Sequence, residues 1–138
     1  MTHTAHIGAL IVAALPDYTA VDIRSFDLDQ YLELVATQTA TPQVFCRGLE
    51  IYADESTITD DGTVRLHAMQ VQAFLMAPPD RDIDADTETL VDTMNADLDN
   101  RTYTRGDDRW IVIPMSVEDG EAEYGLPLKR IILDISRI

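Results

Sequence analysis

Residues able to do chemistry are sparse in this chain, and the densest group is "DRDIDADTE", which sets Asp80, Asp82, Asp84 and Asp86 at every second position. Alternating carboxylates open a calcium-binding loop, which then needs glycine at its sixth position and a bidentate glutamate at its twelfth. Counted from Asp80 those positions hold Ala85 and Val91, and counted from Asp82 they hold Thr87 and Thr93. Both registers fail. The stretch therefore reads as the solvated start of a helix, where carboxylates favour the positive end of the helix dipole, and no metal requirement is expected. Cys46 and His67 fall on neighbouring candidate strands, and a thiol beside an imidazole is the raw material of a nucleophile and its base. No nucleophile elbow surrounds either residue, and a small buried cysteine is common in cores. His3 and His6 are read as solvated side chains of a mobile N-terminus. With no glycine-rich phosphate loop, Ser/His/Asp pattern or zinc spacing, neither catalysis nor a cofactor is expected.

Composition narrows the classes further. The chain has 138 residues, a single-domain length, and its 46% hydrophobic share is enough for one ordinary core. Twenty-five acidic residues against 10 basic ones give a formal net charge of −15, and Lys129 is the only lysine. Such a field repels nucleic acid from most of the surface, which argues against sequence-reading DNA or RNA binding. It is also compatible with a saline habitat. Cys46 is the only cysteine, so an intramolecular disulfide and every multi-cysteine metal site are excluded, and a reducing cytosol is the expected compartment. "IGALIVAAL" resembles a signal core, but no Lys or Arg precedes it and it is far short of the roughly 20 apolar residues of a membrane span. It is read as a buried helix.

The elements that must position these residues follow from periodicity. A first helix is expected from about Thr4 to Leu15, with Ile7, Leu10, Ile11, Ala14 and Leu15 inward and Pro16 ending it. "YTAVDIRSF" reads as a short strand carrying Val21 and Ile23. Asp27 and Gln30 then form a capping-box pattern before an amphipathic helix bearing Leu28, Tyr31, Leu32 and Val35. Val44, Phe45 and Cys46 mark the next strand, and Gly48 within it suggests a bulge or close backbone approach. "TDDGT" signals a turn into the longest strand, Val64 to Met76. The apolar phase switches along that strand, implying a bulge or burial on both faces.

"DIDADTETLVDTMNADLDN" is the clearest helix, with Ile83, Thr87, Leu90, Val91, Met94 and Leu98 as its inner stripe and Asn100 closing it. "RWIVIPMSV" and "KRIILDISRI" read as strands that pair with each other. In the last strand Ile131, Leu133 and Ile135 lie on one side, with Arg130, Asp134 and Ser136 on the other. Between the two strands lies an acidic loop, Glu118 to Tyr124, whose Glu118, Asp119, Glu121 and Glu123 are expected to have no compensating cation. Tyr103, Trp110 and Tyr124 read by default as core or hairpin-covering side chains. Trp110 and Tyr124 are also candidate subunit contacts, because aromatics are enriched at interfaces. The whole order predicts an α+β fold: a single compact domain over residues 1–138, with helices packed on a mixed, mainly antiparallel sheet.

Several stretches together resemble a known family. They are the apolar first helix followed by "LPDYTAVDIRSF", the short helix "DLDQYLELVAT" leading into "PQVFCRGLE", "VRLHAMQVQAFLMA" followed by a helix, and the ending "LPLKRIILDISRI". Gly48, Gln70 and Gln72 stand at places comparable to a glycine and glutamines in that family. The chain thus resembles, over most of its length, the tail terminator proteins of Mu-like tailed phages and prophages. The resemblance implies a virion structural protein, assembled in the host cytoplasm as a ring, usually a hexamer, on the head-proximal end of the tail tube. Its partners would be itself, the tail-tube protein and a neck or head-completion protein. It implies no enzymatic activity, cofactor or membrane. DNA would pass through the ring without specific binding; the charge of −15 suggests that Glu118, Asp119, Glu121 and Glu123 line part of the channel, the alternative being an ordinary solvated hairpin tip. The last strand would then offer one edge to a neighbouring subunit. Two other classes stay open: a different neck or tail-completion protein, and a small-molecule binding domain or enzyme, which would need a deep pocket with convergent polar groups.

Overall fold

The computed structural model describes residues 2–20, 42–52, 68–78, 80–119 and 128–138. The first helix, α1 (His3–Ala14), begins where the Thr2 hydroxyl accepts the Ala5 amide at 3.2 Å, and Pro16 follows its C-cap, Leu15. Ile7 and Ile11 are fully buried one turn apart, so α1 enters the core as the periodicity predicts. Two extended residues, β1 (Thr19–Ala20), pair in parallel with the start of β2 (Gln43–Tyr52). The register of β2 slips between Gly48 and Glu50, so the expected bulge lies next to that glycine.

The next strand, β3 (Ala68–Met76), is buried on both faces: Val71, Ala73 and Leu75 point into the core, and Gln72, Phe74 and Met76 are also no more than 8% exposed. That accounts for the switching phase in its sequence. In the second described helix, α2 (Ile83–Ala96), the Asp82 carboxylate caps the start by accepting the Ala85 amide at 3.1 Å. Ile83, Thr87, Leu90 and Met94 form its buried stripe. Leu98 does not extend that stripe. The backbone is extended at Asp97, a 3-10 turn follows over Leu98–Arg101, and Leu98 is 49% exposed. Asn100 closes the helix by donating from Nδ2 to the Thr93 carbonyl at 2.9 Å.

A hairpin absent from the sequence reading comes next, β4 (Thr102–Arg105) and β5 (Asp108–Asp119). Gly106 makes its two-residue turn possible at φ 62°, a left-handed conformation that glycine adopts without steric cost. The final strand, β6 (Leu128–Arg137), pairs with β5, as expected. Its other edge is not offered to a neighbouring subunit. It pairs with β3 along nine residues, from Ala68 opposite Ser136 to Met76 opposite Leu128, so both rows of β6 backbone groups are used. The sheet order is β1-β2-β3-β6-β5-β4, antiparallel except for β1 with β2.

The fold is α+β. Its core gathers Ile7 and Ile11 of α1, Leu90 and Met94 of α2, and Val71, Val112, Ile131, Leu133 and Ile135 of the sheet. Several sequence expectations lie outside the described residues: Val21 and Ile23, the helix from Asp27 to Val35, the "TDDGT" turn, His67, the Cys46 side chain, and Glu121, Glu123 and Tyr124.

Candidate interaction surface

The surface that stands out is built by β5. Along its first half, Trp110 and Val112 face the core; they lie opposite Arg137 and Ile135 of β6, and Ile135 is fully buried. Pro114 sits opposite Leu133, and Ser116 then sits opposite Ile132, so Met115 is an inserted residue. Proline within a sheet belongs at edges and bulges, and this bulge reverses which residues face inward. Val117 now lies opposite the buried Ile131 and shares its face. Beyond Ile111 no described strand pairs with the outer edge of β5, because β4 reaches only from Thr102 to Arg105. Ile113, Met115 and Val117 are consequently 39, 57 and 43% exposed.

Charged groups end the strand. Glu118 and Asp119 belong to β5 rather than to a loop, and both have cations opposite them on β6. Arg130 donates to Glu118 from Nε at 2.9 Å, and the Lys129 amine binds Asp119. Lys129 also reaches Asp84 of α2 at 2.5 Å, and these two carboxylates, Asp119 first, raise its pKa. The expectation of an uncompensated acidic loop is therefore corrected for Glu118 and Asp119: the register places a cation across from each. Between α2 and this end of β5 lies an open groove of about 410 Å³. Val91 and Val117 give it apolar lining, and Asp84, Glu88 and Asp92 line its helix side.

The other residues singled out from sequence go elsewhere. Trp110 is 3% exposed, with the His3 ring 4.6 Å from it edge-on, so it is a core side chain rather than a subunit contact. His3 and His6 are not on a mobile terminus. Both belong to α1, where His3 Nδ1 hydrogen-bonds the Tyr103 hydroxyl at 2.7 Å and His6 stacks on the Tyr103 ring at 4.8 Å. Burial, more than the nearby Arg105 charge, holds both imidazoles below their ordinary pKa. The alternating aspartates divide among separate partners: Asp82 caps α2, Asp84 meets Lys129, and Asp86 accepts from the Tyr18 hydroxyl at 2.7 Å and from Arg81 Nε at 2.6 Å. Burial alone would raise the Asp86 carboxyl, but the bonds from Arg81 and Tyr18 outweigh it and hold it low. Arg81 also reaches Asp17 at 3.2 Å, which fastens the segment after α1 to the start of α2. None of the described helices is long and apolar enough to cross a membrane.

Sequence reasoning missed the exposed strip because "RWIVIPMSV" reads as one continuous apolar run. The signal available was Pro114, which should have marked an edge and a bulge. Neither a scan against models of known protein families nor a search of curated proteins finds a match to this chain.

Proposed function

We propose that this protein is a virion structural protein, a tail terminator that forms a ring, most simply a hexamer, capping the tail tube and joining it to the neck. The observation that carries an assembly role is the outer edge of β5, which has no described neighbour beyond Ile111 and leaves Ile113 on one face, Val117 on the other and the inserted Met115 all exposed, in a chain of net charge −15. Such an edge is an aggregation hazard unless a partner covers it. The ring and its place on the tail come from the resemblance of the sequence stretches quoted above. In this reading the chain performs no catalysis, works without a cofactor, and is assembled in the host cytoplasm. DNA passes through the channel unheld, because acidic walls do not bind phosphates as a lysine-rich wall would. Glu121 and Glu123 are the channel-lining candidates that remain, since Glu118 and Asp119 are paired within the sheet.

The test is the mass of the purified protein by light scattering, alone and with tail-tube protein. A discrete closed oligomer that co-purifies with tubes and caps their ends is the expected result. A strict monomer at every salt and protein concentration, with tubes present as well as absent, removes the ring.

A further inference from the structure

We infer that the groove between α2 and the end of β5 docks an extended, cationic segment of a different polypeptide. This goes beyond the ring reading and does not depend on it, because the groove takes only Ser116 to Asp119 of the β5 edge and leaves Ile113 and Met115 for the ring contact. Asp84, Glu88 and Asp92 are spaced by four, so they line up along one face of α2 at intervals of roughly 6 Å. Alternate side chains of an extended chain repeat at roughly 6.6 Å, so lysines or arginines at every second position would stay in step with these carboxylates. Their aliphatic stems would lie on Val91 and Val117 while their charged heads reach the rim. Four carboxylates, Asp84, Glu88, Asp92 and Asp119, border this region against the single Lys129 amine. No described residue forms an ion pair with Glu88 or Asp92.

Backbone geometry limits the occupant in the same direction. Pro114 and the Met115 bulge interrupt the outer edge of β5, which blunts pairing along the whole strand. From Ser116 to Asp119 the strand is regular again, and alternate residues there turn their amide and carbonyl groups outward beside the groove. A short strand can be added at that stretch and a long one cannot. A second copy of this chain is a poor occupant of the groove itself, because its 25 acidic residues against 10 basic ones seldom offer the run of cations that the rim of Asp84, Glu88 and Asp92 calls for. A basic segment of another protein has the complementary charge.

The probe is a fluorescent ten-residue peptide of alternating lysine and threonine, compared with a peptide of the same composition whose lysines are contiguous. Binding is read by anisotropy on the intact protein. The triple variant D84N/E88Q/D92N should weaken the alternating peptide at least tenfold. D80N/D99N/D107N removes the same charge from exposed positions that do not line the groove and should change binding less than twofold. Val117→Lys, at a position already 43% exposed, should also weaken it. Equal weakening by the two triple variants, or equal binding of the two peptides, would reduce the effect to net charge and overturn the proposal. The mass of the groove variant separates the two readings. An unchanged oligomer supports docking of a different protein, and loss of the oligomer in that variant makes the groove a self-contact and overturns it. A monomer that binds the alternating peptide with the expected variant pattern supports the docking site while removing the ring.

Discussion

Leu133 is fully buried at the centre of the sheet, paired with Val71 on one side and Pro114 on the other. Aspartate there would leave an unpaired charge in the core, which belongs to the class of changes costing more than about 4 kcal/mol. Ser136 lies on the opposite phase and is half-buried, so Ser136→Asp should cost under about 1 kcal/mol. Thermal midpoints of the two variants check this, and equal midpoints would mean that the strand faces the other way. At the α1–β4 contact, His3 and His6 have folded pKa values below the unfolded value of about 6.5. The unfolded chain therefore takes up protons first as pH falls. The stability tied to the neutral imidazoles is complete above about pH 6.5 and is lost as pH drops toward their folded values. A His3→Gln/His6→Phe variant should show a smaller fall in thermal midpoint between about pH 7.5 and about pH 5.5 than the parent. An identical fall in both proteins would assign the acid sensitivity to carboxylates such as Asp86, whose own depressed pKa acts in the same direction at lower pH.

Among the elements, β5 and β6 respond differently to a change in length. Met115 is extra to the pairing, since Pro114 faces Leu133 and Ser116 faces Ile132. Its removal leaves every other pair in place and costs mainly the local bend, so the deletion variant should fold with a midpoint a few degrees lower at most. Ile132 has no such slack. It sits in an uninterrupted register against β3, and its deletion would turn either Ile131 or the Leu133 and Ile135 pair out of the core. Far-UV circular dichroism and thermal melts of the two deletions provide the measurement, and a cooperative, native-like melt of the Ile132 deletion would contradict the pairing described above.

For the whole molecule, the charge of −15 sets the terms on which the proposed ring could assemble. Copies of the chain repel one another, and raising salt from about 0.1 M to about 1 M shortens the screening length from roughly 10 Å to roughly 3 Å. The assembled fraction should therefore rise with salt, as read by light scattering. A fall with salt would mean that ion pairs between subunits hold the assembly. Peptide docking in the groove should respond in the opposite sense, because it depends on attraction between opposite charges. The two salt dependences together distinguish apolar self-assembly from charged docking within one protein.

Local periodicity and residue type in the sequence were sufficient to find α1, the buried Ile83, Thr87, Leu90 and Met94 of α2 and its closure by Asn100, the bulge beside Gly48, the inward phase of Ile131, Leu133 and Ile135, and the pairing of β5 with β6. Each depends on residues close together in the chain or on one hairpin, where side-chain spacing and turn length leave little choice. What β3 does, by contrast, is decided in three dimensions. Any strand has two equivalent rows of backbone donors and acceptors, and nothing within residues 128–137 says that the second row is taken by a strand some 60 residues earlier. The same is true of charge: Glu118 and Asp119 look unpaired along the chain because Arg130 and Lys129 become their neighbours only through the β5–β6 register. Trp110 and Ile113 belong to one apolar run, yet the first is buried and the second exposed, since strand alternation and the lack of a described neighbour beyond β4 act together only once the sheet is assembled.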